Sequence, residues 1–539
     1  MADVSQQKNG VAQPVIAAAV LIAILSLASR VLGLVRDRLL AGTFGAGPTL
    51  DAYYAAFRIP DLLFNLLGLG ALTAAFLPVY LRIRGGDVAR ARAFAAMVMS
   101  DVAVALLVLC GIGFAAAGPI YRLLVPGFTP EALAITVALG RVMFVASFLL
   151  GCSTVVGGVL QAEERFAAFA AAPLAYNAGI IMGVVAFVPL LGPYGLAWGV
   201  VLGALLHLVV QWIAARRVGF RASWRPTWRD PEVRRMGGLL LPRMLGLAAN
   251  QLQLVLIMGV ASTLAAGSIA VFTFASNIQM VPIALIGISF AVASFPYLSI
   301  AAQHAEREQF RERFSSSVRQ IALFALPAVV LLLTLKAQIV RVLLGSGQFG
   351  WDDTIRTLGT LEAFGFGLFW AMLLPLLTRS FYAFEDTWTP FLIGLLADVV
   401  AVIAAIILGR SLGPRGLGFA ASLAVTVQAV LLLTMLRARV GPLDGWRITT
   451  AITKCGVAAL VMAITIQLVK PTVASLTGTD TFLGIGLQGT LAALLGTAVY
   501  LGIGLLLRSP EITTLARTLH RGALRTIRLP PGGADEARG

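Results

Sequence analysis

Apolar residues run through this chain in long stretches, broken by short polar or Gly/Pro-marked segments, from Val15 to Leu507. A helix needs about 20 apolar residues to cross a bilayer, where only a helix or a closed barrel pairs every backbone polar group. By that measure the pattern predicts about fourteen spans, near residues 15–43, 51–81, 94–124, 131–160, 166–189, 194–215, 236–263, 269–299, 318–344, 356–384, 388–409, 415–438, 448–469 and 482–507. The predicted fold class is therefore an all-α polytopic membrane protein. An even number of spans brings both termini to one side. The loops on that side hold Arg82 to Arg92, Arg216 to Arg235, Arg307 to Arg319 and Arg437 to Arg447, and the tail adds Arg508 to Arg528. Basic residues gather on the cytoplasmic side, so both termini are predicted to be cytoplasmic.

The hydrophobic pattern also repeats. Ser29-Arg30-Val31-Leu32-Gly33-Leu34-Val35 is echoed by Pro242-Arg243-Met244-Leu245-Gly246-Leu247-Ala248, and Phe76-Leu77-Pro78-Val79-Tyr80 more loosely by Phe295-Pro296-Tyr297. Two pseudo-symmetric six-helix lobes follow, 15–216 and 236–440, joined by a basic cytoplasmic linker, 217–235. Two further helices occupy 441–507, between a tail at 1–14 and another at 508–539. Parallel repeats around a central cavity are a transporter arrangement.

Composition narrows the function. The chain has 41 Lys+Arg against 25 Asp+Glu and a net charge of +16, but the excess lies in alternate loops, so it marks topology and not nucleic-acid binding. Cys110, Cys152 and Cys455 lie apart in apolar stretches and read as small buried hydrophobes. The first apolar run continues into Arg30 and Asp37 instead of a cleavage site, so it reads as a retained helix. No phosphate-binding glycine loop, zinc-ligand set or nucleophile with its base is present, so an enzyme is not expected, nor is a cofactor.

The charges inside the spans carry the functional signal. Each costs roughly 2.5 to 3.5 kcal/mol at a bilayer centre, so it must face protein, water or a charged ligand. At helical spacing Ser26, Ser29, Arg30, Gly33, Arg36 and Asp37 share one face of the first span. Asp51, Tyr54, Arg58, Asp61 and Asn65 share a face of the second, with a kink expected at Pro60, and Arg243, Gly246, Asn250 and Gln253 repeat the first stripe in the seventh. One reading is a net basic, water-filled cavity between the lobes for an anionic head group, because guanidinium forks onto two phosphate oxygens. The other is that Arg36, Arg38 and Arg58 reach an interface or pair with Asp37 and Asp51 to hold helices together. Asp398, alone in the eleventh span, is a candidate ligand for a coupling cation. The last two spans hold almost no charge and suit a lipid tail, or serve as an appendage.

Ser29-Arg30-Val31-Leu32-Gly33-Leu34-Val35-Arg36-Asp37, then Phe44-Gly45-Ala46-Gly47 and Asp51-Ala52-Tyr53-Tyr54, resemble the opening signature of the MurJ (MviN) lipid II flippases. The likeness continues through Val125-Pro126-Gly127-Phe128, Arg165-Phe166, Pro173, Asn177, Leu196-Ala197-Trp198 and Phe381-Tyr382-Ala383. It implies the multidrug/oligosaccharidyl-lipid/polysaccharide exporter fold in a bacterial cytoplasmic (inner) membrane. It also implies outward transfer of undecaprenyl-pyrophosphate-linked peptidoglycan precursor by alternating access, with membrane lipid and cell-wall synthesis proteins as partners. The drive would be the membrane potential or a monovalent cation gradient. Arg30, Arg36, Asp37 and Asp51 match charged family positions, and Ser29, Arg58, Arg243, Asn250 and Asn277 complete the candidate set. The chain departs where the family has arginines or acids: Phe64-Asn65, Leu69 and Ser276-Asn277. Those departures leave open a flippase for another lipid-linked oligosaccharide; a cation-coupled drug antiporter of the same fold is a rival that the basic stripe argues against, and a non-transporting scaffold is a role open to a degenerate homologue.

Overall fold

The computed structural model describes residues 3–66, 71–223, 227–304, 306–478 and 481–514, leaving aside the side chains of 3–19, 71–74, 239–250 and 477. Leu69 lies outside these residues, as do the side chains of Arg243 and Asn250. The first repeat comprises α1 (Asp3–Phe44), α2 (Pro48–Phe64), α3 (Ala71–Arg84), α4 (Val88–Ala115), α5 (Ala117–Leu124), α6 (Pro130–Ala162), α7 (Phe166–Met182), α8 (Val188–Leu191) and α9 (Tyr194–Arg217). The second comprises α10 (Pro231–Ser262), α11 (Ser268–Pro282), α12 (Ser289–Gln303), α13 (Arg307–Thr334), α14 (Lys336–Leu344), α15 (Trp351–Tyr382), α16 (Trp388–Leu412) and α17 (Pro414–Val440). Then come α18 (Gly445–Thr477) and α19 (Phe482–Leu506). π-helical turns join α7 to α8 and α11 to α12. No strand occurs among the described residues.

Eleven of these spans, with α7–α8 and α11–α12 each counted once, are long and apolar enough to cross a membrane. The other expected spans, α1, α2 with α3, and α10, are the three that carry the charged stripes. Helix starts follow local chemistry. Asp87 accepts the amides of Ala89 and Arg90 at 2.8 and 3.1 Å to open α4, and Asp230 with Pro231 opens α10 in the same way. Where α7 crosses α9, glycine meets glycine: a Cβ on Gly179 would overlap the Gly203 backbone, so these helices approach to backbone contact.

Left-handed residues recur at nearly constant spacing: Gly45 and Gly267, Glu164 and Glu385, Gly192 and Gly413, Gly219 and Gly441. This pairing is a repeat at backbone level.

The chain groups into two compact units that do not follow the repeat boundary. The first takes Met1–Ala275, Leu343–Thr360 and Asp398–Ala420; the second takes Ser276–Val342, Leu361–Ala397 and Ala421–Gly539. Two cores lie in the first unit: one around Phe76, Tyr80, Phe94 and Val156, the other around Tyr121, Phe144, Met258, Ile269 and Leu417. In the second unit α18 and α19 pack on α13 through Leu323, Cys455, Met462 and Ile466, and Tyr500 donates to the Leu323 carbonyl at 2.7 Å. All three cysteines are buried thiols.

Candidate functional site

The two stripes of the first repeat meet inside the first unit. Asp37 on α1 is buried, and its Oδ1 accepts Nε and Nη2 of Arg36 at 3.0 and 2.8 Å. The third edge of that guanidinium is held from α7: Arg36 Nη1 donates to Asn177 Oδ1 at 3.1 Å. Asn177 in turn donates to the Ser29 hydroxyl at 3.4 Å and to the Pro173 carbonyl at 3.1 Å. Arg36 has five N–H donors and spends three, so two remain.

Tyr176, on the same helix as Asn177, interacts electrostatically with both Arg36 and Asp61. Asp61 faces Arg58 and hydrogen-bonds Asn65. A cavity of about 20 Å³ lies beside this cluster, lined by Phe57, Asp61, Phe64, Ser147 and Tyr176, and holds room for about one water. Arg36 with Asp37 and Arg58 with Asp61 are thus charge-balanced pairs. Arg30 differs: it is exposed and has no hydrogen-bond or ion-pair partner among the described residues.

Asp51 is buried at the opposite end from the basic loops and bonds to backbone. Its carboxylate accepts the amides of Gly267 and Ala270 at 2.6 and 2.8 Å, and so caps the start of α11 from another helix. Neighbouring bonds do similar work. Asp353 accepts the Ala46 amide at 3.1 Å, Arg38 Nη2 donates to the Gly345 carbonyl at 3.2 Å, and Arg356 donates to the Ala266 carbonyl at 3.0 Å. The Gln348 amide donates to the Gly42 carbonyl at 2.8 Å. Gly267 has a φ of +84°, and a Cβ there would overlap the Ala46 carbonyl oxygen. These contacts draw 343–360 of the second repeat into the first unit, and 398–420 joins it through the apolar core around Tyr121 and Leu417.

Of the remaining candidates, Asn277 is half-buried on α11, and Asp398 is half-buried on α16. No group of three potential metal ligands occurs among the described residues. The sequence reading missed Asn177 as a bonding partner and Asp353 and Arg356 altogether. A lone amide in an apolar helix and charges in the first turns of α15 were the available signals.

At the cytoplasm-predicted end each repeat ends a helix pair in the same way. Glu163 binds Arg84 and Tyr80, both at 3.0 Å, and Asp386 binds Arg439 at 2.7 Å. Partial burial alone would raise the Asp386 carboxyl. The Thr389 amide and hydroxyl together with Arg439 outweigh it and hold the group below the usual carboxylate value, so this tie is lost only as pH falls below that ordinary range.

A family model described as lipid II flippase MurJ matches residues 40–485. The chain belongs to the MurJ family. It is 30% identical over 422 residues to a probable lipid II flippase MurJ of Rhizobium meliloti (strain 1021), covering 76% of this chain and 78% of that one. A Bdellovibrio bacteriovorus relative with the same description is 31% identical over 432 residues, 78% of this chain and 82% of its own. A solved structure titled as lipid II flippase MurJ in an inward closed conformation superposes with a TM-score of 0.73 at 24% identity, covering 89% of this chain and 98% of that one. An inward-facing multidrug resistance MATE transporter of the MOP superfamily superposes at 0.65 with 20% identity, covering 78% and 99%. These two likenesses establish the transporter fold of this multi-pass membrane protein.

Proposed function

We propose that this protein moves lipid II across the bacterial cytoplasmic membrane, from inner to outer leaflet, by alternating access. Membership of the MurJ family supports the cargo class, and the observation that carries the chemistry is Arg30, an exposed arginine without a partner among the described residues, on the stripe whose other charges are balanced. Arg30 supplies the net positive charge for a pyrophosphate, and Arg36, oriented by Asp37 and Asn177, offers its two unspent N–H donors as a fork. The polyprenyl tail stays in lipid. The Asp51 and Asp353 contacts close the end remote from the basic loops, and they must open for release. Without bond-making residues the drive is the membrane potential, about 2.3 kcal/mol per charge per 100 mV, or a cation gradient engaging Asp398.

A second reading has a specific motive. Phe64 and Asn65 stand where the resemblance leads one to expect arginines, which fits a lipid-linked glycan other than lipid II. Expression in a strain depleted of its own lipid II flippase tests both. Growth restored by the wild-type chain and not by Arg30→Ala, at equal membrane abundance, supports the lipid II reading. Failure of the wild-type chain, with normal insertion, favours the other cargo.

A further inference from the structure

Outside this site, one cluster of charged side chains in the second unit has no part in the transport reading. We propose that Lys336 and Lys470 form a binding site for the phosphate of a lipid head group, at the membrane face remote from the basic loops. α13 rises from that basic side to end at Thr334, and α14 begins at Lys336. α18 spans the same way, so Lys470, near its far end, comes level with them. Lys470 Nζ donates to the Thr334 carbonyl at 2.9 Å, and Lys336 Nζ donates to Glu362 Oε2 at 2.7 Å. Gln488 fixes the frame by donating to the Lys470 carbonyl at 3.0 Å and accepting from Gln338 at 3.1 Å.

Among the described residues the charge count does not close: Lys336 follows Thr334, whose carbonyl Lys470 binds, by two residues, and Glu362 is the one carboxylate paired with either ammonium. Each lysine spends one of its three N–H donors. Two like charges half-buried beside one carboxylate are costly, and an anion between them removes the imbalance. Were Lys470 only a cap on the last carbonyls of α13, a second lysine beside it would weaken that cap. Leu468 and Leu476 on α18 and Leu483 at the start of α19 are 71%, 80% and 71% exposed, a surface suited to a lipid chain. An anionic phospholipid and a polyprenyl phosphate share this phosphate chemistry. The site stands independently of which cargo the protein moves.

Native mass spectrometry of the purified full-length protein tests it, with phosphatidylglycerol, phosphatidylcholine and a short-chain polyprenyl monophosphate as probes. Wild type is expected to retain the anionic probes over phosphatidylcholine. Lys336→Gln and Lys470→Gln should each weaken that retention roughly tenfold, while Glu362→Gln should leave it equal or stronger. Preference between phosphatidylglycerol and the polyprenyl phosphate identifies the source. Unchanged retention in Lys336→Gln overturns the proposal. That variant breaks no backbone contact, so it decides the matter even if Lys470→Gln fails to fold. A fall in thermal stability without a change in retention would mark the cluster as structural.

Discussion

Arg30 and Arg36 share one face of α1 and have opposite surroundings. Arg36 is held on two sides, by its neighbour Asp37 and by Asn177 of α7, whereas Arg30 is exposed with no partner among the described residues. A held guanidinium loses less freedom on meeting a phosphate. Arg30→Ala and Arg36→Ala are both expected to abolish transport at normal abundance, and Arg30→Lys should rescue poorly because an ammonium lacks the fork. Asn177 acts through Arg36. Asn177→Ala should weaken pyrophosphate binding about tenfold or more, as loss of a charge-assisted hydrogen bond does. In an Arg36→Ala background the same change should cost almost nothing further. Binding of inorganic pyrophosphate to the four proteins of that cycle measures the coupling, and additive losses would make Asn177 merely a helix tie.

At the scale of the elements, the proposed alternating-access cycle requires the contacts of Asp51 to break when the end remote from the basic loops opens. A buried carboxylate on two backbone amides is a strong but reversible latch, since opening exposes carboxylate and amides alike to water. Asp51→Asn keeps the shape, loses the charge and half of the acceptor capacity, and should shift the population toward an open far end. Gly267→Ala should do so more severely, because its backbone conformation and the Ala46 carbonyl both exclude a Cβ. Reactivity of a cysteine placed at Ala46 toward a membrane-impermeant thiol reagent would report the shift, and equal reactivity in all three backgrounds would remove Asp51 from the latch. The spans themselves were legible in the sequence because hydropathy is local. The latch was not, because Asp51 and the turn that donates to it lie 216 residues apart and the turn contributes only main-chain amides. Arg30 and Asp37 were legible by their depth in an apolar run.

For the molecule as a whole, two repeats make up the chain as far as α17, and α18 with α19 are supernumerary to them. They are bound to α13 by a buried core, by Tyr500 and by the Arg319–Glu511 pair at 2.6 Å, which ties them firmly without giving them a role in the charged stripe. Their outward faces are apolar and open, with Leu487, Leu491 and Leu494 on α19 all exposed. A polyprenyl chain that remains in lipid while its head crosses needs a greasy surface to slide along, and this pair offers one. Leu494→Arg places a charge near the middle of that surface, at a cost of roughly 2.5 to 3.5 kcal/mol on insertion scales. The protein that still inserts should move a short-tailed cargo analogue better, relative to the full-length cargo, than wild type does in a reconstituted flipping assay. Equal loss for both analogues would point to a damaged fold, and no loss for either would leave the tail to travel in bulk lipid, with the last two helices serving only to brace α13.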